Sequence, residues 1–204
     1  LGDYFKKEQL AWVFDFLTNI IKLDPHRLYV TVFEGNQTIP QDDESISIWQ
    51  DLFHTKAPAQ SGLIGFNSDT KIYLYDATKN WWSRAGIPEK MPVGEIGGPD
   101  SEIFFDFGEH LHLHENSTWK DQLCHVNCDC GRFMEIGNSV FMQYIKTETR
   151  FEPLPKQNVD FGGGLERIAA ALNDNPDVFT TDLFQPIILK IEQLTGQTYK
   201  EANM

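Results

Sequence analysis

Basic residues are scarce in this chain: 17 lysines and arginines stand against 30 aspartates and glutamates, a formal net charge of −13 over 204 residues. A surface that tracks a phosphate backbone needs clustered cations, so broad nucleic-acid binding by this stretch is excluded. Cysteine is also sparse. The three present, an odd number confined to Cys124–Cys130, do not form a disulfide framework of the secreted type. No apolar run is long enough to span a bilayer, and the first residues lack the charged-then-apolar pattern of a targeting signal. These absences together predict a cytoplasmic protein. What remains is 41% hydrophobic with 13% aromatics, the make-up of one packed domain with a full core.

The opening residues LGDYFKKEQLAWVFDFLTNIIKL place Leu10, Phe14, Leu17 and Ile21 at helical spacing, with Val13 and Ile20 widening the stripe and Asp3 as N-cap. That helix should stop before Asp24-Pro25. Alternating β-branched and aromatic residues predict strands at 27–35 and 71–76, and ISIWQDLF a short helix between them. Residues 54–70 read as loop. From 101 to 107 a further strand carries Glu102, Phe104 and Asp106 on one face and Ile103, Phe105 and Phe107 on the other. Acids on so apolar a strand require partners, which the sequence does not identify.

Chemistry concentrates in the second half. Val159–Leu172, VDFGGGLERIAAAL, sets three glycines before an apolar-periodic run, a bare backbone leading into a helix near Gly164–Leu165 with Ile168, Leu172 and the alanines inward. Backbone N–H groups at such a start favour anions, and Arg167 could add a contact to phosphate. An arginine this early opposes the helix dipole unless an anion or carboxylate answers it. By composition alone the stretch reads as a glycine turn with a Glu166-Arg167 surface pair. In the long β-rich segment 131–146, strict alternation would put Glu135 and Asn138 on opposite faces. A bulge at Gly137 would turn both inward. TTDLFQPIILKIEQLTG reads as an amphipathic helix capped by Thr or Asp and ending at Gly196.

Between the strands lies HLHLHENSTWKDQLCHVNCDCG, a His/Cys-rich insertion spanning 108–131. His110, His112 and His114 would share a face on a strand. Cys124, His125, Cys128 and Cys130 offer a zinc inventory, with His114 an alternative fourth ligand. Reduced thiols and solvated histidines are an equally good account. A metal here would be structural, since no open coordination position is marked.

The glycine-rich stretch resembles the third signature motif of class II aminoacyl-tRNA synthetases, in the form found in the alanyl enzymes. GPDSEIFFD at Gly98–Asp106, EIGNSVFMQY at Glu135–Tyr144, EPLPKQNVDFG at Glu152–Gly162 and TDLFQPII at Thr181–Ile188 match further segments in the same order. The resemblance implies an α+β fold, an antiparallel β-sheet flanked by helices. It implies a partial catalytic domain over 1–204, lacking motif 1 and most of motif 2, because Gly2–Lys6 resembles the close of motif 2. The implied activity is alanine–tRNA ligation: ATP-dependent formation of alanyl-adenylate, then transfer to tRNA(Ala), which would be gripped mainly by other domains. Such a fragment would be inactive alone.

Carried over residue by residue, the resemblance makes Asp160 the partner of the alanine ammonium, with Asn138, Val140, Trp82 and Gly162 shaping the pocket. Arg167 would hold the ATP γ-phosphate beside Gly163 and Gly164, and Glu135 would hold Mg2+ against the phosphates. Two positions depart from the pattern: Gly137 stands where tryptophan is usual, and Phe161 replaces threonine. The alternatives are a non-catalytic synthetase-like module that binds amino acid, nucleotide or a partner, and a zinc-binding interaction domain.

Overall fold

The computed structural model describes residues 2–199. Seven strands form one sheet: β1 (Leu28–Phe33), β2 (Gln60–Ser61), β3 (Ile72–Tyr75), β4 (Trp81–Ser83), β5 (Ile96–Asp106), β6 (Phe133–Lys146) and β7 (Phe151–Gly163). Their order is β2-β3-β1-β5-β6-β7, with β4 paired to β5. The sheet is antiparallel from β1 through β7, as expected, but β1–β3 and β2–β3 are parallel. The fold is thus the expected α+β sheet flanked by helices, mostly antiparallel, with two parallel pairs at one side. The link from β1 to β3 contains α2 (Asp43–Leu52), and a helical crossover is what a parallel pair requires.

One face of the sheet is covered by α1 (Lys6–Asp15), α2 and α3 (Leu165–Leu172). Leu10, Val13, Leu17, Trp49, Ile103, Phe105, Phe141 and Ala170 meet there in the main core. Polar side chains on this face are answered from the helices: Trp49 Nε1 donates to Ser101 Oγ at 2.9 Å and Gln9 Nε2 to Ser139 Oγ at 3.2 Å. Every residue of β1 is buried, so its alternation separates two covered faces and not core from water.

Local signals explain most element ends. Asp42 caps α2 by accepting from Ser45 N at 3.2 Å. Its carboxylate also meets the buried Lys6 ammonium at 2.5 Å, joining the start of α1 to the start of α2. Asp3 does not cap α1; the helix begins after Phe5, whose N–H donates to Glu8 at 3.4 Å. The α-helix then loosens into a π turn over Phe16–Ile20, which rotates Ile20 outward against the expected stripe. α4 (Gln185–Thr195) ends at Gly196 in the left-handed region as predicted. It starts after Phe184, however, without the expected Thr or Asp cap, and none of its residues is buried. No described helix is long and apolar enough to cross a membrane.

Candidate active site

The face opposite the helices carries the polar groups. Three alternate rungs of the β6–β7 ladder pair Asn138 with Gly162, Val140 with Asp160, and Met142 with Asn158. Paired residues in an antiparallel ladder point to the same side, so these six lie on one face in a row. Register between β5 and β6 slips between Gly97 and Asp100 and again beside the site, where Ile103 pairs with Gly137 but Phe104 with Glu135, leaving Ile136 as the extra residue. That is the bulge the sequence demanded. Glu135 and Asn138 therefore share the polar face, while Ile136 turns into the core with 1% exposure.

The glycine run is the last stretch of edge strand β7, and Gly164 is the N-cap of α3. Arg167, in the first turn, donates through Nη1 to Glu135 Oε2 at 2.9 Å and to the Glu135 carbonyl at 3.1 Å. The carboxylate that answers this arginine thus comes from β6 and not from neighbouring Glu166. Both side chains are substantially exposed, so the pair contributes at most about 1 kcal/mol to stability. Leu172 is 56% exposed, outside the inward set expected for α3, whereas Ala170 and Ala171 are buried.

Two acids on β5 sit deeper on the same face. Asp100, 3% exposed, accepts from Asn80 Nδ2 at 3.1 Å. Burial raises its pKa to about 7, against the lowering effect of hydrogen bonds from Asn80 and Asn138. Glu102 Oε2 accepts from Thr31 Oγ1 and Asn127 Nδ2, each at 2.9 Å. Its pKa is pushed up to about 8, first by burial and then by the negative charges of Asp100 and Glu135. Beside them the Oδ1 atoms of Asn80 and Asn138 are buried without a hydrogen-bond partner. A face with unanswered oxygens and reluctant carboxylates is built to receive a cationic or donor-rich group. Asp106, the remaining acid of the strand, is taken by Arg132 at 3.0 and 3.2 Å.

The glycines separate into two kinds. A Cβ on Gly98 would lie 1.8 Å from the Phe141 carbonyl oxygen, so the fold itself requires glycine there. At Gly162 nothing lies within 4 Å of such a Cβ. Protein packing does not explain Gly162, and open space over the ladder does. Gly137 is covered by Phe161, whose ring would stand 3.2 Å from a Cβ added at that position. The ring supplies the bulk that residue 137 lacks. Phe161 remains 41% exposed, only partly in the core.

Trp82 is 43% exposed and lines a cleft with Met142 and Asn158, the next same-face rung after Val140 and Asp160. Trp81 is the packing member of the pair, stacked on Tyr144. At the other end a cavity of roughly 560 Å³ opens between Glu102, Glu135 and Arg167 on one side and Asn127 and Asp129 of the insertion on the other.

The insertion holds no strand: Glu109–Leu111 form a 3-10 turn and His112 is left-handed, so His110, His112 and His114 do not share a face as expected. His114, Cys124, Cys128 and Cys130 converge, their ligand atoms all within 4.8 Å of one another. His125 does not join them; its Nδ1 is hydrogen-bonded to the Tyr75 hydroxyl at 2.8 Å. The adjacent Cys-His pair points its side chains to different partners, which removes His125 from the candidate ligands. Sequence reasoning missed Asp100, Asn80, Thr31 and Asn127. Only the acids on an apolar strand signalled that such partners existed.

Compared with known proteins, the whole chain, residues 1–204, matches the family described as tRNA synthetases class II (A). It is 39% identical to an alanine–tRNA ligase of Treponema denticola over 98% of this chain and 29% of that relative. A Treponema pallidum alanine–tRNA ligase is 38% identical over 98% of the chain and 29% of its own length. For a Petrotoga mobilis alanine–tRNA ligase the values are 37%, 98% and 20%. The chain thus spans less than a third of the length of these relatives.

Proposed function

The chain belongs to the class II tRNA synthetase (A) family, and from that we propose that it supplies the amino-acid pocket and part of the ATP site of an alanine–tRNA ligase. The reaction is attack of the alanine carboxylate on the ATP α-phosphate, releasing pyrophosphate and leaving alanyl-adenylate, followed by acyl transfer to tRNA(Ala) in the cytoplasm. Domains outside this stretch, and not its acidic surface, would hold most of the tRNA.

The observation that carries this reading is the row of rungs on the polar face. Asp160, exposed on the edge strand, would accept from the substrate ammonium, with Asn138 two rungs away on the same face and Val140 directly across the ladder. The open volume over Gly162 suits a methyl group, and Trp82 closes the far end with a flat wall. A pocket of this kind discriminates weakly against one added hydroxyl, so serine would be partly admitted.

Arg167, at the mouth of the larger cavity with Gly163 and Gly164 behind it, is placed to hold the γ-phosphate. To do so it would exchange its bond to Glu135 for a stronger one to phosphate. Glu135 presents a carboxylate to that cavity, a donor type that fits Mg2+. When bound there, the ion would neutralise phosphate charge. Nothing in this arrangement calls for a protein nucleophile, because phosphoryl transfer is governed by positioning and charge.

The test is amino-acid-dependent ATP–pyrophosphate exchange by the complete gene product with alanine, serine and glycine. Exchange strongest with alanine and weaker with serine supports the reading. A folded protein that exchanges with none of them would overturn it in favour of a non-catalytic binding module.

A further inference from the structure

The insertion between β5 and β6 poses a problem of stability. From Gly108 to Gly131 it has one short 3-10 turn and few buried apolar side chains, yet it borders the polar face, with Asn127 bonded to Glu102 and Asp129 lining the same cavity as Glu135. Chains this poor in core need a staple. Four side chains meet where a staple would be: His114 is 8% exposed, Cys128 and Cys130 each 7%, and Cys124 is half-buried.

Their spacing is that of ligands around an ion. Cys124 Sγ and Cys130 Sγ are 4.0 Å apart, and Cys128 Sγ lies 3.7 Å from His114 Nδ1. A disulfide would bring two sulfurs to about 2.05 Å. A tetrahedron built on Zn–S bonds of about 2.3 Å separates its sulfurs by about 3.8 Å, and a sulfur from an imidazole nitrogen by about 3.5 Å. The imidazole is also oriented for the task. His114 Nε2 lies 3.0 Å from the Gln122 carbonyl oxygen. An N–H donated there fixes the tautomer and leaves the Nδ1 lone pair facing the thiols, the arrangement metal-bound histidines adopt.

We propose that His114 Nδ1 and the thiolates of Cys124, Cys128 and Cys130 bind one Zn2+ in a closed tetrahedral site that clamps the insertion beside the polar face. Soft sulfur donors with one imidazole select zinc over magnesium or calcium, and four protein ligands leave no position for substrate. Binding displaces the thiol protons to solvent, so the site assembles as the ion arrives. The clamp reaches the sheet through the residues between two of its ligands. Asn127 donates through Nδ2 to Glu102 and through its backbone N–H to Tyr75, and His125 meets the same Tyr75 hydroxyl. Zinc thereby positions Asn127 against a buried carboxylate at the edge of the cavity. The site stands independently of the synthetase reading.

The experiment is elemental analysis of the complete gene product beside its Cys128→Ser/Cys130→Ser and His125→Ala variants, all purified without chelator. The double variant is expected to hold one zinc fewer per chain than wild type, and His125→Ala the same as wild type. Cobalt(II)-substituted wild type should show intense ligand-field bands of a tetrahedral centre and a thiolate-to-metal charge-transfer band, both lost in the double variant. If that variant fails to fold, stripping wild type with a chelator should raise proteolysis within 112–131 while leaving β1–β5 protected, and zinc alone should restore resistance. Equal zinc in wild type and double variant, an octahedral cobalt spectrum, or a Cys124–Cys130 disulfide in protein purified under reducing conditions would each overturn the proposal.

Discussion

Replacing Glu102 by glutamine should flatten the decline of stability with rising pH, so that the variant gains on wild type as pH rises from 5 to 9. The carboxyl sits on the polar face, bonded to Thr31 and Asn127, with its pKa raised from 4.5 to about 8. The folded state therefore keeps a proton that the unfolded chain releases. A raised carboxyl pKa contributes stability in full below about pH 4.5 and loses it progressively as pH rises, until the folded-state group ionises near pH 8. Three to four pH units at about 1.4 kcal/mol each give a loss on the order of 4 kcal/mol across that window. Glutamine keeps an acceptor for Thr31 and Asn127 and cannot ionise. Urea unfolding from pH 5 to pH 9 should therefore show a steep decline in wild type and, in Glu102→Gln, a decline shallower by close to one proton. Asp100, raised to about 7, supplies the slope that persists. Parallel profiles for the two proteins would refute the reasoning, because every other titrating group is shared.

Asp160→Asn, at an exposed edge-strand position, should leave the thermal midpoint within a degree or two while abolishing alanine-dependent exchange; near-normal exchange would remove Asp160 from the ammonium site. Gly162→Ala should likewise fold normally, since its Cβ enters open space, and raise the KM for alanine at least tenfold; an unchanged KM would mean that space is not the methyl pocket. Lys6→Met strands the buried Asp42 carboxylate and should cost about 3–5 kcal/mol by denaturant melt, with a loss below 1 kcal/mol showing that water replaces the ammonium.

The local backbone geometry of the candidate site was legible in the sequence because its signals are local. The need to aim Glu135 and Asn138 the same way placed the bulge to within a residue, and the glycines followed by apolar periodicity placed the start of α3. What stayed hidden depends on distant pairing. The partners of Glu102 come from β1 and from the insertion, and the parallel β1–β3 pair is made by segments some forty residues apart. The choice of His114 over His125 was equally invisible, since it rests on the Tyr75 hydroxyl and the Gln122 carbonyl, neither of which spacing reveals. Amphipathic periodicity overstated α4, because a periodic stripe says that a helix can pack and not what it packs against.

The extra residue at Ile136 reverses the parity of β6 between Glu135 and the stretch from Asn138 to Met142. Toward the N-terminus odd-numbered positions such as Glu135 look out over the polar face; beyond the bulge even-numbered ones do, from Asn138 through Met142. Chemistry and packing are thus written on the same strand in two reading frames. Deleting a single residue there would leave composition, length and hydrophobicity nearly intact, yet would exchange the roles of the side chains from Asn138 through Met142.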